Sequence, residues 1–251
     1  MALAPRVNVL LVCGGKYHDF DYARLELLKL LAEHSRLRVR VVEDYSTIAA
    51  LDGADMLITY TCNVLPDAGG QAALQRFLER GGRWFALHGT NSVLTWAREH
   101  KAWDAPRSAP DFMRMLGSQF IAHPAIGPYR VEVSDPEHPL VHGLPAFDAD
   151  DELYLCEYHG NNHALLHTRY AGAAPGFTET DWSRGDRQLV LYTHRHGDGE
   201  VLYCTLGHCR GHYDMQPLID YYPVIERGSW ELPVFHELLR RGLAWAKGES
   251  V

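Results

Sequence analysis

Residues 7–12 are apolar except for Asn8, and Cys13-Gly14-Gly15 ends the run. A short apolar run bounded by glycines predicts a strand buried on both faces. Residues 22–34 repeat at a helical period, with Ala23, Leu27, Leu30 and Leu31 on one side. Residues 37–42 and 54–60 predict two further strands. A helix follows over 71–80, stopped by Gly81-Gly82, and then a strand over 83–87. Successive strand–helix–strand units predict a sheet covered on both faces, made parallel by right-handed crossovers.

The middle of the chain is less regular. Residues 106–110 read as loop, 111–116 as a short helix, and 129–133 and 153–158 as strands. Residues 171–187 are rich in Gly, Pro, Asp and Ser and predict a surface excursion. Order returns with strands over 188–194 and 200–205, joined as a hairpin by Gly197-Asp198-Gly199. Residues 232–246 form a helix with Pro233 in its first turn and Phe235, Leu238, Leu239, Leu243 and Trp245 as apolar surface. The pattern predicts an α/β, flavodoxin-like fold with a central, mostly parallel sheet and helices on both faces. It forms a single domain over 1–251, with irregular insertions near 171–187 and 211–229.

Length and composition narrow the function. A chain of 251 residues fits one domain with a sizeable core. A formal net charge of -8 argues against nucleic acid as partner. No apolar run reaches 18 residues, so no membrane span is expected. The segment 1–12 enters a strand without a basic, apolar leader, which predicts a cytoplasmic protein. The five cysteines are odd in number and irregularly spaced, which argues against a disulfide framework, and three of them lie in apolar strand patterns and read as small core residues. Neither G-x-G-x-x-G nor a Walker pattern is present, so no nucleotide cofactor is expected.

Histidine carries the candidate chemistry. His88-Gly89 follows the strand 83–87, where an open α/β sheet presents residues to a ligand. The presented residue is an imidazole, so nucleophilic serine or cysteine chemistry is disfavoured there. If residues 90–94 open a helix, its field keeps His88 neutral, the form that ligates a metal or accepts a proton. His18 follows Gly14-Gly15, and Gly207-His208 follows the strand 200–205, on the same expected edge. His123, before Pro124, is a fourth candidate, and Glu152 in Asp150-Asp151-Glu152 is a candidate acid or base. Thr90, Asn91, Tyr60, Asn63 and His194 are candidates for binding a polar substrate. Three imidazoles and a water suit a catalytic zinc ion, although the chain has no H-E-x-x-H or C-x-x-C pair. The alternative for each histidine is a structural residue bonded to backbone.

In their order, several of these segments resemble the ThuA-like (trehalose utilisation) family, whose fold is like that of class I glutamine amidotransferases. The matching pieces include Gly14-Gly15 with His18, Leu87-His88-Gly89, Phe120 with His123-Pro124, Gly143-Leu144-Pro145, Asp151-Glu152-Leu153-Tyr154, Tyr192-Thr193-His194 and Tyr203 to His208. In amidotransferases the elbow residue is a cysteine, followed late in the chain by a histidine and a glutamate. His88 stands in place of the cysteine, and Cys209-Arg210 follow His208 where the glutamate is expected, so glutamine hydrolysis is not implied. The resemblance implies an enzyme of carbohydrate metabolism acting on a sugar or keto-glycoside derivative. A divalent metal, zinc favoured, or His/Glu acid–base chemistry would serve a lyase, isomerase or hydrolase. His88, His208 and Glu152 are the implied catalytic residues, and His18, His88, His208 and His123 the implied metal ligands. The partner is a small carbohydrate, and a homodimer is compatible with general symmetry preferences. Two rival readings are a non-catalytic carbohydrate-binding or regulatory protein and a partner-binding scaffold.

Overall fold

The computed structural model describes residues 6–249. The first five and last two residues of the domain expected over 1–251, including the start of the segment read for a leader, lie outside the described residues. Nine strands form the central sheet: β1 (Val7–Gly15), β2 (Leu37–Val42), β3 (Met56–Cys62), β4 (Arg83–Leu87), β5 (Gly127–Val133), β6 (Phe147–Asp151), β7 (Asn162–Arg169), β8 (Arg187–His196) and β9 (Gly199–Cys204). Their order is β2-β1-β3-β4-β9-β8-β7-β5-β6. Four helices flank them: α1 (Phe20–Ala32), α2 (Ala68–Glu79), α3 (Pro110–Leu116) and α4 (Pro233–Ala246).

Strand β1 shows why both faces are covered. Val9, Leu11 and Cys13 pack with Leu27 and Leu31 of α1 and Phe235 and Leu239 of α4. The alternate residues Leu10 and Val12 pack with Leu74 and Phe77 of α2 and Phe112 of α3. Period-2 alternation therefore feeds two cores, and each fully buried Leu or Phe contributes roughly 1.5–3 kcal/mol.

The sheet is mixed. β2, β1, β3, β4 and β9 are parallel, whereas β8, β7, β5 and β6 join by antiparallel pairing. The cause is the β8–β9 hairpin, because a tight turn reverses the chain and no crossover helix follows. β6 and β7 were not among the strands expected from the pattern. The strand expected over 153–158 begins at Leu155 and leaves the sheet to pair with Ser118–Ala122. The excursion over 171–187 carries a two-residue strand pair, Gly172–Ala173 with Asp181–Trp182. Residues 212–225 carry no helix or strand.

Parallel register lines up the strand ends that matter. Gly15 pairs with Cys62, Tyr60 with Leu87, and Leu87 with Cys204. The chain leaving β1, β4 and β9 therefore emerges at one edge. Gly15 must be glycine: its φ is 135°, and a Cβ would lie 2.0 Å from the Cys62 carbonyl oxygen.

Candidate metal centre

Four side chains from distant parts of the chain meet at that edge. Ligand atoms of His18, His88, Glu152 and His208 all lie within 4.8 Å of one another, and all four residues are buried. His18 stands on the turn after β1, His88 directly after β4, Glu152 directly after β6, and His208 after β9. His88 opens a single 3-10 turn, His88–Asn91, not the helix expected over 90–94. Its φ is 44°, a left-handed conformation that costs a non-glycine residue roughly 1–2 kcal/mol. The Tyr203 hydroxyl donates to the His88 carbonyl and helps hold this turn.

Hydrogen bonds fix which ring nitrogens are free. Nδ1 of His18 faces the Lys16 carbonyl at 3.2 Å, and Nδ1 of His88 faces the Thr205 carbonyl at 2.8 Å. A carbonyl only accepts, so each Nδ1 carries the hydrogen. The two Nε2 atoms are left with lone pairs and stand 2.9 Å apart. Two lone pairs at that distance repel unless they share a proton or a cation. His208 donates from Nε2 to Glu226 Oε2 at 2.7 Å. Its buried Nδ1 lies 3.1 Å from Glu152 Oε1 but lacks a hydrogen bond, because the angle is wrong. Every outer nitrogen is thus anchored, as in metal sites whose imidazoles are oriented from behind. Three imidazole nitrogens, with a carboxylate beside them, suit a divalent transition-metal site.

Charge follows the same plan. Burial, reinforced by the His88 ring, pushes His18 down to about 4, so it is neutral at pH 7. Burial opposes charge on His208 too, but Glu152 and Glu226 outweigh it and push this imidazole up to about 9. Burial would raise Glu152, yet the neighbouring His208 and His123 hold its carboxyl well below the usual range. Holding a cation requires His208 to release its proton, so metal affinity rises with pH.

Asp151 organises the backbone around the cluster. Its Oδ1 accepts the N–H of Glu152 at 2.7 Å and of His208 at 3.1 Å. Its Oδ2 accepts Gly207 N–H at 2.9 Å and Ser229 N–H at 3.1 Å. One buried carboxylate therefore ties together the segments bearing Glu152 and His208. Within the acidic run the sequence pattern favours Glu152, and it does not mark Asp151 as the tie between these segments. It also missed Glu226, which reaches His208 from 18 residues along the chain and fills the place where no nearby glutamate follows that histidine. Arg210 joins them, with Nη1 2.8 Å from Glu226 Oε2 and Nη2 3.6 Å from Glu152 Oε1.

The other expected residues sit elsewhere. His123 lies beside the cluster, not in it: its Nε2 is 3.8 Å from Glu152 Oε1 and its Nδ1 is held by the Pro124 carbonyl. The Tyr60 hydroxyl donates to the Gly207 carbonyl, and its ring stacks behind His88. Thr90 donates to the Leu87 carbonyl, and Asn91 donates to Ser118. Asn63 accepts from the Leu94 N–H. These four polar groups are spent on the scaffold and do not line the cleft. His194 lies towards the opposite edge of the sheet, bonded to Asn162, because β8 runs antiparallel to its neighbour.

The cluster lies beneath a cleft of about 320 Å³ whose wall includes His18, Glu152, His123 and Arg210. A more open groove of about 790 Å³ between α1 and α4 lacks any such convergence of donors and is not the better candidate. No helix among the described residues is long and apolar enough to cross a membrane.

A ThuA-like protein from Parabacteroides merdae shares this fold with 17% identity and a TM-score of 0.71, over 98% of this chain and 92% of its own. Another described as ThuA-like, from Bacteroides uniformis, is 18% identical, with a TM-score of 0.67 over 100% of this chain and 96% of its own. A β-galactosidase from Rahnella sp. R3 matches 96% of this chain with 31% of its own length, at 13% identity and a TM-score of 0.57. At these identities the likeness shows fold alone. No curated protein is similar enough in sequence to match. The model of the trehalose-utilisation family, ThuA, matches residues 8–221, and the chain therefore belongs to that family.

Proposed function

We propose that this chain is a divalent-metal-dependent enzyme acting on a sugar or keto-glycoside derivative, by lyase, isomerase or hydrolase chemistry. The observation that carries the reading is the convergence of three outward-anchored imidazoles on one carboxylate beneath a cleft. His18, His88 and His208 hold the ion, while Lys16, Thr205 and Glu226 fix the ring orientations. When bound, a divalent ion, zinc favoured by the nitrogen donors, supplies a Lewis acid that polarises a substrate carbonyl.

Glu152 moves the proton. Its carboxylate is charged, buried and within 4 Å of each of the three rings. Hydrogens beside a sugar carbonyl are acidic, and once His208 has given up its proton to hold the ion, the Glu152 carboxylate is the group placed to take one up. His123 stands 3.8 Å away with Nδ1 anchored, so its Nε2 is free to pass that proton on.

The test combines metal analysis with turnover on a panel of keto sugars and disaccharides. The purified protein should carry zinc, manganese or another divalent ion near one per chain. His88→Ala should lose both metal and turnover. Glu152→Gln should keep the metal and lose turnover. Full turnover by His88→Ala overturns the proposal, and sugar binding without turnover by the metal-loaded protein favours a carbohydrate-binding role instead.

A further inference from the structure

Floor and mouth of the cleft differ in chemistry. The floor holds His18, Glu152 and Arg210, with His123 beside them. The mouth is built from Tyr17, Trp103, Phe177, Met215 and Tyr222, which come from four separate segments. Tyr17 meets Trp103 edge-on at 5.6 Å, and Phe177 meets the His123 ring at 4.9 Å. The Trp103 and Phe177 segments are stitched together: the Trp103 N–H donates to the Gly176 carbonyl at 2.7 Å, and the Thr178 N–H to the Trp103 carbonyl at 2.8 Å. Tyr222 is held from behind by Arg210, whose guanidinium lies 5.1 Å from its ring centre, and by its hydroxyl bond to Glu226.

A sugar ring presents hydroxyls all round its rim, and these need paired donors and acceptors such as Asp, Asn, Glu, Gln or Arg supply. Among the described residues that line the cleft, Glu152 and Arg210 are the only side chains of those types, and both belong to the floor. Flat aromatic walls with few polar partners instead suit a flat apolar group, which stacks on them.

We infer that the substrate is an aryl glycoside: its sugar sits on the floor beside Glu152, and its aromatic aglycone lies at the mouth against Trp103, Phe177 and Tyr222. This deepens the sugar-enzyme reading and rests on it. A second sugar at the mouth would find only the Tyr17 and Tyr222 hydroxyls and the Trp103 indole N–H as side-chain partners for its many hydroxyls.

The test is equilibrium binding to the metal-loaded full chain, by calorimetry, of the 3-keto derivatives of methyl and phenyl glycosides of glucose, galactose and mannose, with that of trehalose alongside. For at least one sugar, the phenyl glycoside should bind at least tenfold tighter than the methyl glycoside and tighter than trehalose. Trp103→Leu should bring that ratio towards one, with metal content reporting an intact floor. Met215→Ala, a smaller change at the same mouth, should lower the ratio if Trp103→Leu does not fold. If methyl glycosides bind and the phenyl group adds nothing, or if trehalose binds tightest, the aglycone inference fails and the sugar-enzyme reading stands. If no glycoside binds, both fail.

Discussion

Replacing Asp151 by asparagine should loosen the metal centre without touching any ligand. The Asp151 carboxylate accepts four backbone N–H groups, two on each oxygen. Asparagine keeps one oxygen and puts an NH2 donor in place of the other. Whichever way the amide turns, two buried N–H groups then face a donor. Each buried donor left unsatisfied costs about 1–3 kcal/mol, so the loss is about 2–6 kcal/mol. A typical domain has only about 5–15 kcal/mol of stability in total. With an m-value of roughly 3 kcal/mol per M, the urea midpoint should fall by about 1–2 M. Because Glu152 and His208 hang from the same carboxylate, zinc affinity measured by chelator competition should fall with it. A variant that unfolds at the wild-type midpoint and holds zinc equally well would refute the assignment of Asp151 as the tie between these segments.

Other outcomes follow from the same geometry. Glu226→Ala removes the acceptor behind His208 and should weaken metal affinity by about 10–100-fold, read by chelator competition. In metal-free protein, His208 is raised from its ordinary 6.5 to about 9, so its stabilisation is complete below pH 6.5 and is lost as pH rises through about 9. His18 is lowered from 6.5 to about 4, so its share is present above pH 6.5 and is lost as pH falls towards about 4. Urea midpoints measured with chelator should therefore peak near pH 6.5, and a flat profile from there to pH 9 would contradict the charge assignment of His208. His194→Ala should cost about 1–3 kcal/mol of stability, through its lost bond to Asn162, and leave metal content unchanged.

The parallel half of the fold is readable because strand and helix periods alternate there. For the same reason, His18, His88 and His208 can be placed at one edge: each follows the C-terminal end of a parallel strand. Glu152 is harder to place, since it follows β6, which joins from the antiparallel side. His194 exposes the limit of the pattern. It lies before a hairpin turn, and strand direction on that side depends on the pairing partner, not on the residues themselves. Asp151 and Glu226 are invisible for a different reason. One acts on backbone N–H groups that no side-chain pattern reveals, and the other lies in a segment without periodicity. Tyr60, Thr90 and Asn91 resemble substrate contacts only until the carbonyls and hydroxyls beside them are known.

The long irregular segment after Arg210 is tethered at its two ends. Arg210 and Glu226 exchange backbone hydrogen bonds at 2.9 and 2.8 Å, and Ser229 is fixed to Asp151. Residues 211–225 thus form a closed loop whose foundations lie outside it, while Met215 and Tyr222 project from it to the cleft. Such a cassette can be exchanged for another of different length or composition as long as the Tyr222 contacts to Glu226 and Arg210 are kept. Selectivity and reactivity are therefore separable in this architecture, and grafting loops between these two anchors offers a route to changing what enters while keeping the machinery that acts on it.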